Sequence, residues 1–143
     1  MKDDKVYMAH IMEAVEKIER YSAGKTYEDL LSDSLLQDGL ARQLQIIGEA
    51  CKQLPKNIKD DNPNVPWKAI AGMRDVLVHQ YAGIDHKAVW DAVKNDVPEL
   101  KKAVEKLLAP AGGFKAMKEK AERYAAEIRR SRRAEKAGKR ARK

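Results

Sequence analysis

Apolar residues recur at spacings of three and four along almost the whole chain, and this periodicity constrains the fold more than any other feature. The first such stripe consists of Tyr7, Ile11, Ala14, Ile18 and Tyr21. This spacing places side chains on one face of an α-helix, whereas no segment of useful length alternates as a β-strand does. The sequence therefore predicts an all-α protein.

Breaks in the periodicity divide residues 1–109 into four main helices. The predicted helices run from Asp3 or Asp4 to about Ser22, from Ser34 to Leu54, from Pro66 to about His79 and from His86 to about Leu108. Thr26 is predicted to cap a short helical turn and Asp85 to cap the fourth helix, and residues 57–65 read as a loop with one possible helical turn. Pro98 must kink or divide the fourth helix, because proline has no amide proton to donate. The expected fold is an up-and-down bundle of four main helices.

Residues 110–143 form a separate, basic C-terminal extension. They carry 13 Lys and Arg against 4 Asp and Glu, a net charge of +9, whereas the preceding 109 residues carry −2. Apolar residues from Phe114 to Ile128 predict an amphipathic helix, and the loss of apolar residues from Arg129 onwards predicts a frayed or disordered end. Two interpretations stay open. The segment holds RNA through phosphate contacts, or it is a solvated tail whose apolar stripe packs on the bundle or on a partner.

Several classes of protein are excluded or disfavoured by composition. The single cysteine, Cys51, allows no intrachain disulfide and indicates a reducing compartment. No run of about 20 apolar residues could span a membrane, and the N-terminus lacks a signal-peptide pattern, so we expect a cytoplasmic protein. A phosphate-cradling glycine loop, a CxxC pair and an HExxH motif are all missing, and His10, His79 and His86 are not at metal-ligand spacing. We expect neither a metal nor a cofactor.

Arg74 and His79 are the residues whose chemistry stands out. They flank the apolar run of residues 76–78, and Asp75 follows the arginine. Arginine keeps its charge and can hold a phosphate with two parallel hydrogen bonds, and histidine can move a proton near neutral pH. Cleavage of RNA without a metal needs such a pair: a base for the ribose 2′-hydroxyl and a cation for the phosphoryl oxygens. A purely structural alternative is an ion pair between Arg74 and an acid, together with a helix-terminal His79 that the helix dipole favours.

The spacing between the two residues restricts how they can meet. Five residues along an ideal helix turn by about 500°, so the two positions differ by about 140° around the axis. Either His79 lies beyond the end of the helix, or a two-fold axis brings two copies of the helix together. Tyr81 follows in the predicted turn, where it is a packing residue or an exposed phenol that contacts RNA or is itself modified.

The Arg-x4-His-x-Tyr pattern of residues 74–81 resembles the Arg-x4–6-His motif of the HEPN superfamily. More closely, residues 3–108 resemble the HepT toxins of the paired nucleotidyltransferase–HEPN toxin–antitoxin systems. Residues 44–50 (LQIIGEA) are similar to the family's second-helix signature, residues 65–75 (VPWKAIAGMRD) to its lead-in to the active site, and residues 89–90 (VW) to the start of its next helix. The basic extension has no counterpart in this resemblance.

The resemblance implies an all-helical homodimer with a composite, metal-independent ribonuclease site. It implies that Arg74 and His79 are catalytic, that Asp75 supports the site, and that Tyr81 accepts AMP from a minimal nucleotidyltransferase antitoxin. Such a modification would place negative charge over the RNA site and block it. A non-catalytic helical subunit that binds nucleotide or RNA within a nucleotidyltransferase complex is the alternative function, and a purely structural dimer is the third.

Overall fold

Helices make up the architecture of this protein. The computed structural model describes residues 4–79 and 83–141, except for the side chains of residues 74, 76–79, 111 and 141. The α-helices are α1 (Asp4–Ser22), α2 (Tyr27–Ser32), α3 (Ser34–Gln53), α4 (Lys56–Asp61), α5 (Trp67–His79), α6 (His86–Asp91), α7 (Val97–Leu108) and α8 (Gly113–Ala141). Within those residues there is no strand, so the predicted all-α class is confirmed. None of the described helices combines the length and apolarity needed to cross a membrane.

The core lies between α1, α3 and α7. Helix α1 packs along α3 and also contacts α7, and α5 packs against α3. The side chains that are almost completely buried are Ile11, Val15, Ile18, Leu30, Leu40, Ile47, Cys51, Val89, Leu100, Val104 and Leu108. Within α1, α3 and α7 these positions are three, four or seven residues apart, as expected for amphipathic helices whose burial removes apolar surface from water.

The short helix α2 is held by a reciprocal capping box, as the sequence predicted for Thr26. The amide of Asp29 donates to Oγ1 of Thr26 at 3.1 Å, and the amide of Thr26 donates to Oδ2 of Asp29 at 2.8 Å. Asp33 then caps α3 by accepting from the amide of Leu36 at 3.1 Å. These side chains satisfy amides at helix N-termini that have no partner within the helix.

The predicted fourth helix is divided, and the division begins before the proline. Between α6 and α7 the chain forms a π-helical segment, Ala92–Asp96, in which the amide of Val97 donates to the carbonyl of Ala92. Pro98 then lies in the first turn of α7. In a regular helix the Pro98 ring would press on the carbonyl four residues earlier, and the wider π-turn relieves that crowding.

The C-terminal extension differs from its prediction. After a 3₁₀ turn at Ala109–Ala111, Gly112 and Gly113 adopt positive φ values of 90° and 80°, which turn the chain into α8. We expected a frayed or disordered end from Arg129 onwards, but α8 continues as one helix to Ala141. That prediction was wrong because it relied on apolar periodicity alone. Ala, Arg, Lys and Glu are strong helix formers, so this segment forms a helix even though it has no core to pack on.

Candidate active site

The candidate site is built on α5, whose start is set by local hydrogen bonds. The indole Nε1 of Trp67 donates to the carbonyl of Asn62 at 3.0 Å, and the amide of Ile70 donates to the carbonyl of Pro66 at 3.0 Å. Helix α5 therefore begins at Trp67, one residue later than the sequence suggested, and Pro66 immediately precedes it. Buried Val65 and Ile70 fix this end of α5 on the core.

Arg74, Asp75 and His79 all belong to α5, and His79 is its last residue. The arrangement in which His79 lies beyond the helix end is therefore not the one that the structure contains. Because α5 is continuous, the positions of Arg74 and His79 are about 140° apart around its axis. Asp75 is exposed. Tyr81, the predicted acceptor of AMP, lies outside the described residues.

Asp96 lies beneath α5 and is the charged residue that sequence reasoning missed. It lines a narrow gap together with Ile70 and Met73 of α5, Leu44 and Ile47 of α3, and residues of α7. Burial raises the pKa of the Asp96 carboxyl, and the negative charge of Asp91 raises it further. The signal was weak in sequence, because Asp96 directly precedes the core residue Val97 and reads as one more polar residue of an amphipathic helix.

The other histidines do not extend this site. His10 is exposed on α1, and it lines a groove between α1 and α3 together with Tyr7 and Lys52. His86 is half-buried at the start of α6, and its Nδ1 atom is buried without a hydrogen-bond partner in the described part of the molecule. Asp85 caps that helix by accepting from the amide of Ala88 at 3.0 Å, as predicted.

No nucleophile or metal centre emerges from the remaining titratable groups that the structure describes. Among residues 4–79 and 83–141 with described side chains, no three His, Cys, Asp or Glu side chains are grouped to hold a metal ion. Cys51 is buried in the core, and this burial raises the pKa of its thiol to about 12. A thiol that stays protonated at neutral pH is a weak nucleophile, so Cys51 acts as a small core residue.

Comparison with known proteins places the chain in a family. The family model described as "Ribonuclease HepT-like" matches residues 11–107. A Caldanaerobacter subterraneus protein named "Putative RNase" is 40% identical over 76% of this chain and 96% of its own length. A Thermococcus cleftensis protein named "Probable ribonuclease HepT" is 42% identical over 74% of this chain and 96% of its own length.

A third relative is longer. A Methanocaldococcus jannaschii protein named "Gamma-glutamylcyclotransferase and putative RNase" is 42% identical over 75% of this chain. The matched region covers only 48% of the length of that protein. No solved structure matches the chain.

These matches make the class clear: the chain belongs to the HepT-like ribonuclease family of the HEPN superfamily. The expectation of an enzyme of the ribonuclease class is thus confirmed at the level of the family. The family model ends at residue 107, so α8 lies wholly outside it.

Proposed function

We propose that this chain is a metal-independent endoribonuclease whose active site combines Arg74 and His79 of two copies of α5. The observation that carries the proposal is the continuity of α5 through both residues. Because one helix holds the two positions about 140° apart, Arg74 and His79 of a single α5 belong to different faces of that helix. A two-fold axis beside α5 brings in a second copy of the helix, so that Arg74 of one copy can pair with His79 of the other.

The chemistry follows from the two residue types. In the proposed reaction His79 takes the proton of a ribose 2′-hydroxyl, and the 2′-oxygen forms a bond to the adjacent phosphorus. The bond from phosphorus to the 5′-oxygen breaks, and that oxygen receives a proton as it leaves. Arg74 stabilises the charge on the non-bridging oxygens, and a 2′,3′-cyclic phosphate remains. In this proposal Asp75, which is exposed and follows Arg74 in the sequence, has a supporting role in the site.

We further infer that the enzyme acts as a toxin held in check by a minimal nucleotidyltransferase. In this proposal the partner transfers AMP from ATP to the phenol oxygen of Tyr81, two residues beyond the end of α5. The bond between the α- and β-phosphates of ATP breaks, pyrophosphate leaves, and the phenol gives up its proton. The added phosphates bring negative charge beside the site that must hold an RNA phosphate, so they repel the substrate. The resemblance of the Arg-x4-His-x-Tyr pattern of residues 74–81 to the HepT toxins is what supports this regulation, and the homodimer is part of the same proposal.

The deciding experiment is cleavage of a defined RNA by the purified chain in the presence of EDTA. We expect the wild-type chain to cleave, with a cyclic phosphate at the new 3′ end, and Arg74→Ala and His79→Ala to lose at least about a hundredfold of the rate. Lys68→Ala, an exposed cation on the same helix, is the matched control and should retain activity. A wild-type chain that binds RNA without cutting it would instead favour a non-catalytic binding subunit.

The regulatory part has its own test. After co-expression with the cognate nucleotidyltransferase, the intact mass should rise by increments of AMP, and Tyr81→Phe should remove the increase. Tyr124→Phe is the control, since Tyr124 is exposed on α8. A mass that does not change in the wild-type chain would reject Tyr81 as the acceptor.

A further inference from the structure

Helix α8 packs on the bundle only through its first turns. Phe114 and Met117 are partly buried against the core, and Nζ of Lys118 lies 3.3 Å from Oε1 of Glu16 on α1. From residue 119 to residue 140 every side chain is exposed except that of Ala126, which is half-buried. At 1.5 Å per residue, these 22 residues extend for about 33 Å.

The distal half of α8 carries a continuous basic stripe. At about 100° per residue, five cations fall within a sector of about 100°. They are Arg129, Arg132, Arg133, Lys136 and Arg140, which we call the basic stripe. Glu135 is the only acid in residues 129–140, and it falls outside that sector. Among the residues that the structure describes, none of the five stripe side chains forms an ion pair or hydrogen bond with a neighbour.

We propose that the basic stripe is a binding surface for the phosphate backbone of RNA. The proposal takes its ligand from the proposed function, in which RNA is the substrate. Charge complementarity carries it: the stripe concentrates uncompensated positive charge on a chain whose first 109 residues carry −2. Four of its five members are arginines, whose planar guanidinium groups match phosphate geometry.

The other sides of α8 argue against the competing occupants. Outside the stripe, residues 129–140 offer only Ser131, Ala134, Ala137 and Gly138 besides charged side chains. This part of the helix therefore lacks the large apolar face that inserts into a membrane surface or anchors a protein interface. It also lacks aromatic residues on which bases could stack, so the predicted contact is to the backbone and is independent of RNA sequence.

The position of α8 separates this surface from the candidate active site. Helix α8 contacts α7 and α1, whereas α5 packs against α3. The stripe should therefore raise the affinity for RNA without changing the chemical step. The family model ends at residue 107, so this surface lies outside the part of the chain that matches the family.

The test is fluorescence anisotropy of the full-length chain with a 20-nucleotide 2′-O-methyl RNA, which has no free 2′-hydroxyl and cannot be cleaved, over a series of salt concentrations. One variant replaces Arg129, Arg132, Lys136 and Arg140 with Gln. The matched control replaces Lys120, Arg123, Arg130 and Lys139 with Gln, which removes the same charge from positions of the same helix outside the stripe. A third variant replaces the three stripe arginines of the first variant with Lys, and keeps the charge.

We expect the stripe variant to bind at least about tenfold more weakly at low salt, with the slope of log K against log salt reduced by about 3. The control should change affinity less than about threefold, and the lysine variant should keep the slope. Equal losses in the stripe variant and the control, or no loss in either, would overturn the proposal. So would a stripe variant that loses binding to anionic phospholipid vesicles but keeps its affinity for RNA.

Steady-state cleavage separates this inference from the proposed function. With a cleavable RNA, the stripe variant should show a raised KM and an unchanged kcat. If the wild-type chain binds RNA through the stripe but never cleaves, the proposed function fails and the stripe stands. If the chain cleaves and the stripe variant keeps the wild-type KM and salt slope, the stripe fails and the proposed function stands.

Discussion

The ammonium group of Lys118 lies 3.3 Å from Oε1 and 3.4 Å from Oε2 of Glu16, and so joins α8 to α1 across 102 positions of sequence. Both side chains remain about half exposed, at 45% and 49%. Water and salt screen such a pair, so its contribution to stability is small. The packing of the partly buried Phe114 against the core is the stronger attachment of α8.

This difference gives a prediction for the attachment of α8. Lys118→Ala should lower the free energy of unfolding by less than about 1 kcal/mol, whereas Phe114→Ala should lower it by about 2 kcal/mol. Urea denaturation measures both, and amide hydrogen exchange should show faster exchange in the first turns of α8 only for Phe114→Ala. Equal effects of the two substitutions would show that the ion pair anchors the helix as strongly as the aromatic ring does.

A composite site predicts complementation between two inactive variants. In a dimer of one Arg74→Ala chain and one His79→Ala chain, one of the two sites keeps an intact arginine from one copy and an intact histidine from the other. A mixed and re-equilibrated sample contains half heterodimers, so it should recover about a quarter of the wild-type cleavage rate. Each variant alone is the control. No recovery after verified subunit exchange would place both residues of a site on one chain.

The buried thiol of Cys51 predicts a loss of stability at alkaline pH. The unfolded chain releases this proton near the ordinary pKa of 9.0, whereas the folded chain holds it up to about 12. The unfolding free energy therefore falls as the pH rises from 9 toward 12, by about 2 kcal/mol at pH 10.5 from this group. In Cys51→Ala this part of the pH dependence should disappear, although the variant is less stable at pH 7. Chemical denaturation at pH 8 and pH 10.5 measures the difference.

The capping box of α2 predicts a dependence on acid pH. Hydrogen bonds from the backbone and then the hydroxyl of Thr26 lower the pKa of the Asp29 carboxyl. A lowered folded pKa contributes stability that is present above the ordinary value of 3.8 and is lost as the pH falls below it.

Thr26→Ala should cost about 1 kcal/mol at pH 7, and Thr26→Ser should cost little because serine keeps the hydroxyl. Thermal unfolding of both variants at pH 7 and pH 3 checks the prediction. A Thr26→Ala penalty that stays the same at pH 3 would mean that the Thr26 hydroxyl does not help to lower the pKa of the Asp29 carboxyl.

The helices were predictable because local sequence determines them. The periodicity and the caps at Thr26 and Asp85 located the main elements within one or two residues. The π-helical segment was not predictable in detail. Pro98 indicates that the helix is interrupted, but it does not indicate which preceding residues form the π-turn. The helix beyond Arg129 was missed because periodicity reports burial, and that part of α8 has none.

The residue types of the candidate site can be named from the sequence and stay a prediction, whereas the way they assemble cannot be read from it. The side-chain chemistry of Arg74 and His79 indicates phosphate binding and proton transfer. The angle between the two positions around the helix axis, however, depends on how far α5 extends. Asp96 reaches the underside of α5 through contacts between distant segments, which no local pattern encodes.

The burial of Cys51 makes the protein a convenient scaffold for spectroscopic reporters. Because the only native thiol of the chain is shielded and protonated, a maleimide should leave it unmodified in the folded protein. A cysteine introduced at the exposed Ser131 would then carry a single dye or spin label on α8. Distances between two such labels would report directly how two copies of the chain orient these helices around a bound RNA.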